Sequence, residues 1–92
     1  KIYACKTCGT HLTHSLSTNL VSTSFTGNCG KAFLFRSMYN TIMTEPVKRS
    51  MTTGEHVVSD LKCSGCEETI GWKYLKAYNQ SQKYKEGCFI LE

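Results

Sequence analysis

The chain has 92 residues and a formal charge of +4, which leaves room for one small domain, residues 1–92, and excludes a multi-domain enzyme. At this length hydrophobic burial alone is marginal, so a covalent or metal staple is expected, and six cysteines can supply it. With 40% hydrophobic and 20% charged residues the composition excludes disorder, and the longest uncharged apolar run, Ala32-Phe33-Leu34-Phe35, is too short to span a membrane. A chain opening on Lys1 instead of Met reads as trimmed, with any targeting signal upstream of it.

In chain order, the first signal is Cys5-Lys6-Thr7-Cys8-Gly9, a C-x-x-C turn followed by His11 and His14. Strands are then predicted over Asn19–Phe25, Ala32–Phe35, Tyr39–Thr44, Glu55–Leu61, Ile70–Tyr78 and Cys88–Leu91. These segments are rich in β-branched and aromatic residues. Turn chemistry separates them at Thr26-Gly27-Asn28-Cys29-Gly30, Thr53-Gly54 and Glu86-Gly87. In the Ile70–Tyr78 strand the alternation puts Trp72 and Tyr74 on one face and Lys73 and Leu75 on the other. No segment sustains a helical period beyond about two turns.

A second C-x-x-C, Cys63-Ser64-Gly65-Cys66, lies far beyond the first. A two-residue spacing turns both thiolates of a tight loop toward one ion, and glycine at position 9 or 65 relieves the crowding in such a turn. Together Cys5, Cys8, Cys63 and Cys66 make a closed tetrahedral set for one structural zinc. Such a site contributes on the order of 10–16 kcal/mol of apparent binding free energy, against about 5–15 kcal/mol for the whole stability of an ordinary domain. Two other uses of the thiols stand beside it. A disulfide framework requires an oxidising compartment, for which the chain carries no signal. A redox C-x-x-C needs a strand-to-helix setting that Cys5 is too near the chain start to have. Cys29 and Cys88 are left over as small apolar residues or partly exposed thiols. His11 and His14 read as surface or turn residues, because four thiolates already complete the site. Residues 9–62, between the knuckles, outrun the about 15–20 residues of a simple zinc ribbon, so the ion is expected to pin a sheet.

The charge is mildly basic, with lysines at 73, 76, 83 and 85 interleaved with Tyr74, Tyr78 and Tyr84. That pattern suits a solvated face, or a surface that stacks on the bases of a single strand.

The ordered set Cys5-x-x-Cys8, Gly54-x-His56, Cys63-x-x-Cys66, Gly71-Trp72-Lys73-Tyr74 and Gln82-Lys83-Tyr84-Lys85-Glu86-Gly87 resembles the Yippee-like proteins over essentially the whole chain. Two features depart from that pattern. The stretch between the knuckles is a couple of residues longer, accommodated around Met43–Arg49, and Cys88 stands where the family commonly has lysine. The resemblance implies a β-tent: mainly β, two antiparallel sheets meeting at an angle and pinned by one structural zinc. That fold is shared with the thalidomide-binding domain of cereblon, the Mis18 centromere proteins and the B-type methionine sulfoxide reductases.

In cereblon three tryptophans cage a uracil-like or imide ring. Trp72 and Tyr74 match the last of them and the aromatic two residues on, whereas the other two positions fall near Thr52 and Val58. A full cage is therefore not expected. Two readings stay open: a different pocket on Trp72 and Tyr74, with His56 or Phe35, or two rings that simply fill the sheet interface. The reductase relatives place a catalytic cysteine near the position of Cys88, with Lys85 or His56 available to lower its pKa and Cys29 to resolve it. The residues flanking Cys88 do not match the reductase pattern, and no enzyme is expected. The implied function is a zinc-stabilised module acting through protein partners, in growth and division control, in nucleus and cytoplasm, and with some relatives in ubiquitin-ligase assemblies. The alternatives are a nucleic-acid module, a small-molecule sensor and the reductase-like enzyme.

Overall fold

The β-branched and aromatic segments do form strands, but composition hides three more, two ahead of the first segment and one between Thr44 and Glu55. A computed structural model describes the whole chain, Lys1–Glu92. In chain order the strands are β1 (Ile2–Ala4), β2 (His11–His14), β3 (Leu20–Gly27), β4 (Gly30–Phe35), β5 (Thr41–Met43), β6 (Val47–Met51), β7 (Gly54–Cys63), β8 (Thr69–Ala77) and β9 (Phe89–Leu91). A short 3₁₀ segment, Gln80–Lys85, links β8 to β9, and Asn79 caps it by accepting from the Ser81 amide at 3.1 Å. Strands β1, β2 and β6 were not expected. The first two are three and four residues long and straddle the first cysteine turn. The third reads Val-Lys-Arg-Ser-Met, too polar and too close to Pro46 to stand out.

The strands make two antiparallel sheets, as the expected fold class requires. One is the hairpin β1–β2, and the other is seven-stranded in the order β3-β4-β9-β8-β7, with β5 and β6 sharing the outer edge of β7. Strand β5 pairs with the Leu61–Cys63 end of β7 and β6 with the Gly54–Val58 end. Pro46 falls between the two, where the ladder needs no N–H from it.

Alternation along the large sheet, with a register shift in β8 between Thr69 and Gly71 that turns Ile70 to the face opposite Trp72, builds a core on each face. Phe35, Leu61, Cys63 and Ile70 point to the face covered by the small sheet, where they meet Cys5, Leu12 and Met38. The Tyr3 ring of the small sheet stands edge-on to Phe33 and Phe35, with centroids 5.9 and 5.3 Å apart. Ala32, Leu34, Val58, Trp72, Tyr74, Cys88 and Ile90 form the other core, with Val21, Phe25 and Met51 packed against it.

Buried Asn19 holds the small sheet in place, and every polar atom of its side chain is used. Its Nδ2 donates to Thr13 Oγ1 (2.9 Å) and to the His14 carbonyl (2.7 Å), and its Oδ1 accepts from the Ser37 amide and hydroxyl. A buried polar side chain satisfied in this way fixes one register, because any slip leaves its groups unpaired.

Candidate metal centre and aromatic cleft

Each cysteine pair sits on the same kind of turn. The Cys5 amide donates to the Thr10 carbonyl and the Gly9 amide to the Cys5 carbonyl, at 2.7 and 2.8 Å. The Cys63 amide donates to the Glu68 carbonyl and the Glu67 amide to the Cys63 carbonyl, at 2.8 and 2.7 Å. The first turn joins β1 to β2 and the second joins β7 to β8. The centre thus ties the small sheet to the end of the large one. Gly65 has a different role from the one expected of it. A Cβ there would collide with Thr10 Oγ1 and lie 3.1 Å from Cys8 Sγ, so its bareness lets the two turns close on each other.

The four sulfurs lie within 4.8 Å of one another, with Cys5–Cys66 at 3.6 Å and Cys8–Cys63 at 3.5 Å. All are free thiols. Tetrahedral zinc with bonds of about 2.3 Å sets its sulfurs roughly 3.8 Å apart, so the cluster fits one zinc. Its electrostatics ask for the same cation. Burial works against a thiolate on Cys63, but the Cys66 and Gly65 amides and the Cys8 and Thr10 side chains outweigh it and bring the thiol down to about 6. The Glu68 amide favours a thiolate on Cys66, but burial and the three neighbouring sulfurs outweigh that and push it up to about 12. A thiolate on Cys63 is favoured by its surroundings, whereas one on Cys66 beside the other sulfurs needs a cationic partner. Four protein sulfurs fill a tetrahedral ion and leave no position for a water, so zinc here supplies structure. His11 is exposed and His14 half-buried, and neither joins the cluster.

On the opposite face of the large sheet, the tip of β3 and the β6–β7 hairpin approach from the two ends of the sheet. Between them lies a cleft of about 750 Å³. Trp72 and Tyr74 line it as expected, with Met51 and Phe25 on the walls and Tyr84 and Lys85 from the 3₁₀ segment. Trp72 and Tyr74 are nearly perpendicular, at 80° with centroids 6.1 Å apart. Thr52 lines the cleft, whereas Val58 is wholly buried in the core beneath it.

Two of the four residues expected in the cleft lie elsewhere. Phe35 is on the opposite face of the sheet, fully buried in the metal-side core, because it follows Leu34 by one residue in β4. His56 is on the correct face but sits behind Tyr74, its ring 5.1 Å away, with Nδ1 3.0 Å from the Gly54 carbonyl. Burial holds its pKa below the usual histidine value, with the Gly54 contact opposing and the Lys85 charge adding to the shift. The sequence reading missed Phe25, Met51 and Arg49 as lining residues and used Lys85 as one of the interleaved lysines and as a cation for Cys88, not as a lining residue. The one available signal was the Gln82–Gly87 run, which had been quoted without being placed.

Lys85 is 3% exposed. Its Nζ donates to Thr53 Oγ1 at 3.1 Å and lies 5.1 and 5.2 Å from the Phe25 and Tyr74 ring centres. Arg49, at the cleft edge, is committed to Asp60 through two hydrogen bonds of 3.1 and 3.3 Å.

Cys88 is buried, its Sγ 3.8 Å from the Tyr84 carbonyl, and burial pushes the thiol up with Arg36 only partly opposing. A thiol held protonated is a poor nucleophile. Cys29 is exposed in the β3–β4 turn.

The whole chain, residues 1–92, matches the family described as "Yippee zinc-binding/DNA-binding /Mis18, centromere assembly". It is 51% identical over 92 residues to a "Protein yippee-like" of Solanum tuberosum, covering all of this chain and 70% of that one. To "Protein yippee-like 3" of Homo sapiens it is 43% identical over 90 residues, covering 98% and 74%. Among solved structures it is similar to the crystal structure of the Mis18 "Yippee-like" domain, with a TM-score of 0.75 at 17% identity, covering 98% of this chain and 85% of that one. That last likeness is one of fold.

Proposed function

This chain belongs to the Yippee/Mis18 family, and from that premise we propose that it is a zinc-stabilised protein-interaction module whose aromatic cleft receives a side chain or short segment of a partner. The observation that carries the reading is the cleft itself. Phe25, Trp72, Tyr74 and Tyr84 line a cavity large enough for a small ligand, on the face away from the metal. The four-cysteine zinc makes a rigid frame for it, and Cys88, held protonated, gives no support to an enzymatic role. The reading extends to control of growth and division in the nucleus and cytoplasm, with a multi-subunit ubiquitin-ligase as the class of assembly. The resemblance supports this, as does the centromere assembly named in the family description.

The test is affinity capture by the zinc-loaded chain with two cleft variants. Tyr84 is exposed at the rim, so Tyr84→Ala leaves the fold intact, and Trp72→Ala is compared at matched zinc content. Partners lost from both variants support the cleft. Partners retained by both sink it.

DNA binding is the second reading, favoured by the family description and by one surface feature. The half-exposed Tyr78 ring has Lys48 and Lys76 ammonium groups 5.0 and 4.7 Å from its centre. Binding of this kind weakens steeply with salt, because each neutralised phosphate releases a counterion. Affinity for single strands that is absent, or indifferent to salt, ends it.

A further inference from the structure

The cleft is lined by fifteen residues; they include two cations, Arg49 and Lys85, and no carboxylate. Arg49 is already neutralised by Asp60. Lys85 is not: its ammonium, in a side chain 97% removed from solvent, belongs to none of the ion pairs, which are Lys48–Glu55, Arg49–Asp60 and Lys83–Glu86. Its single hydrogen bond goes to the Thr53 hydroxyl and leaves two of its three protons without an acceptor. A buried charge in this condition is costly unless something pairs with it. The Trp72 indole N–H is a second buried donor on the same cleft, and it has no hydrogen-bond partner. Two unclaimed donors, one of them charged, therefore sit among the rings of Phe25, Tyr74 and Tyr84.

We propose that the cleft is a carboxylate-binding site: it takes a monoanion carried on an apolar or aromatic body, with the carboxylate on Lys85 and the body against the surrounding rings. This rests on the protein-interaction reading and names the chemistry of the segment that the cleft receives. A single free cation matches a single negative charge. Lys85 lies too deep for a phosphodiester, which is flanked by sugars on both sides, but within reach of a carboxylate at the end of a slim stem. Such a carboxylate comes either from the C-terminus of a peptide or from an aspartate or glutamate side chain.

The experiment uses the zinc-loaded chain and four probes: N-acetyl-phenylalanine and its amide, and N-acetyl-glutamic acid α-amide and its glutamine counterpart. Trp72 is the only tryptophan, so its indole N–H gives one resonance and its emission reports one site. Saturable downfield movement of that resonance with a carboxylate probe is expected, at least tenfold weaker with the neutral partner. The first pair reports the chain terminus and the second the side chain as the source. Lys85→Met, which keeps the length of the stem, abolishes the difference between charged and neutral probes, whereas Lys83→Met preserves it.

Equal binding of charged and neutral probes, or no binding of any probe, overturns the carboxylate site. Displacement of N-acetyl-phenylalanine by a thymidine oligonucleotide overturns it in favour of nucleic acid. Its failure is distinguishable from failure of the broader reading. Partners that depend on Trp72 and Tyr84 but not on Lys85 leave the interaction module standing without the carboxylate. Carboxylate binding with partner capture indifferent to Trp72 and Tyr84 leaves a small-molecule site without the module.

Discussion

Gly9 and Glu67 occupy the same position in two copies of one turn. Each lies four residues after a cysteine ligand and donates its amide to that cysteine's carbonyl, and each adopts a left-handed backbone, with φ of 79° and 63°. Glycine takes that conformation freely, whereas a residue with a Cβ does not. The second turn therefore holds with a glutamate what the first holds with a glycine. Gly65, the obvious candidate in the sequence for that strain, is used instead for the close approach of the two turns.

Glu67→Gly is accordingly expected to stabilise the zinc-loaded chain. Releasing a left-handed non-glycine gains about 1–2 kcal/mol, and the added freedom of the unfolded chain returns about 0.5–1 kcal/mol. The balance is about 0.5–1 kcal/mol, a rise in Tm of roughly 2–8 °C for a domain of this size. Gly9→Ala shifts Tm the other way. Thermal unfolding of both variants beside the parent checks the pair, and a fall in Tm for Glu67→Gly contradicts it.

The six thiols are expected to react in three classes. In the zinc-loaded chain Cys29, exposed in the β3–β4 turn, is the one fast thiol, and Cys88, 5% exposed, reacts only on unfolding. A chelator releases Cys5, Cys8, Cys63 and Cys66 together. It also removes a binding free energy on the order of 10–16 kcal/mol, so the small sheet comes away and near-ultraviolet dichroism collapses. Alkylation followed by mass mapping, with and without chelator, orders the classes. Two fast thiols before chelation refute the burial of Cys88.

The two C-x-x-C turns and six of the strands were legible because their signals are local: a fixed cysteine spacing, β-branched runs and turn residues. The metal centre could be read in full, since four sulfurs have few other ways to be used. The cleft could only be half read. Trp72 and Tyr74 share a face by simple alternation within β8, but whether Phe35 joins them depends on how β4 registers with β9 and β8, which no local pattern states. Phe25 and Met51 come from strands at opposite ends of the sheet, and only its curvature brings them together. Lys85 sits in a run of charges that reads as solvated, yet the 3₁₀ segment turns it inward while Lys83 stays outside to pair with Glu86.

His56 gives the chain a predictable response to acid. Burial lowers its folded pKa below the unfolded value of about 6.5. As pH falls below that value the unfolded chain takes up a proton that the folded chain refuses, so stability is lost with a slope of up to about 1.4 kcal/mol per pH unit. Above it this contribution is flat. His56→Phe keeps a ring against Tyr74 and removes the titration, while acid release of zinc remains common to both proteins. The Tm of the parent is therefore expected to fall faster than that of the variant between pH 7 and 5. Parallel curves exclude His56 as the source.

Lys85→Met is expected to leave Tm close to that of the parent, although it removes a hydrogen bond and two contacts with aromatic rings. The buried ammonium has one hydrogen bond and no counter-charge, and replacing even a paired buried charge by apolar groups of similar volume is often neutral or stabilising by about 1–4 kcal/mol. Against that stand two cation–π contacts of about 0.5–2 kcal/mol each, so the two sides are of equal size and nearly cancel. Lys85→Ala loses the stem that fills the space against Phe25 and Tyr74, and its Tm falls. The pH dependence has a definite sign. Burial lowers the folded pKa of Lys85, so the folded chain gives up its proton first, and stability attributable to this residue rises as pH climbs from that value to about 10.4. Relative to the parent, Lys85→Met is therefore most stable near neutral pH and loses ground towards pH 10. A buried charge whose removal costs the fold nothing is held for something other than folding; a Tm that drops in Lys85→Met as it does in Lys85→Ala makes Lys85 a structural contact and removes the energetic argument for an anion in the cleft.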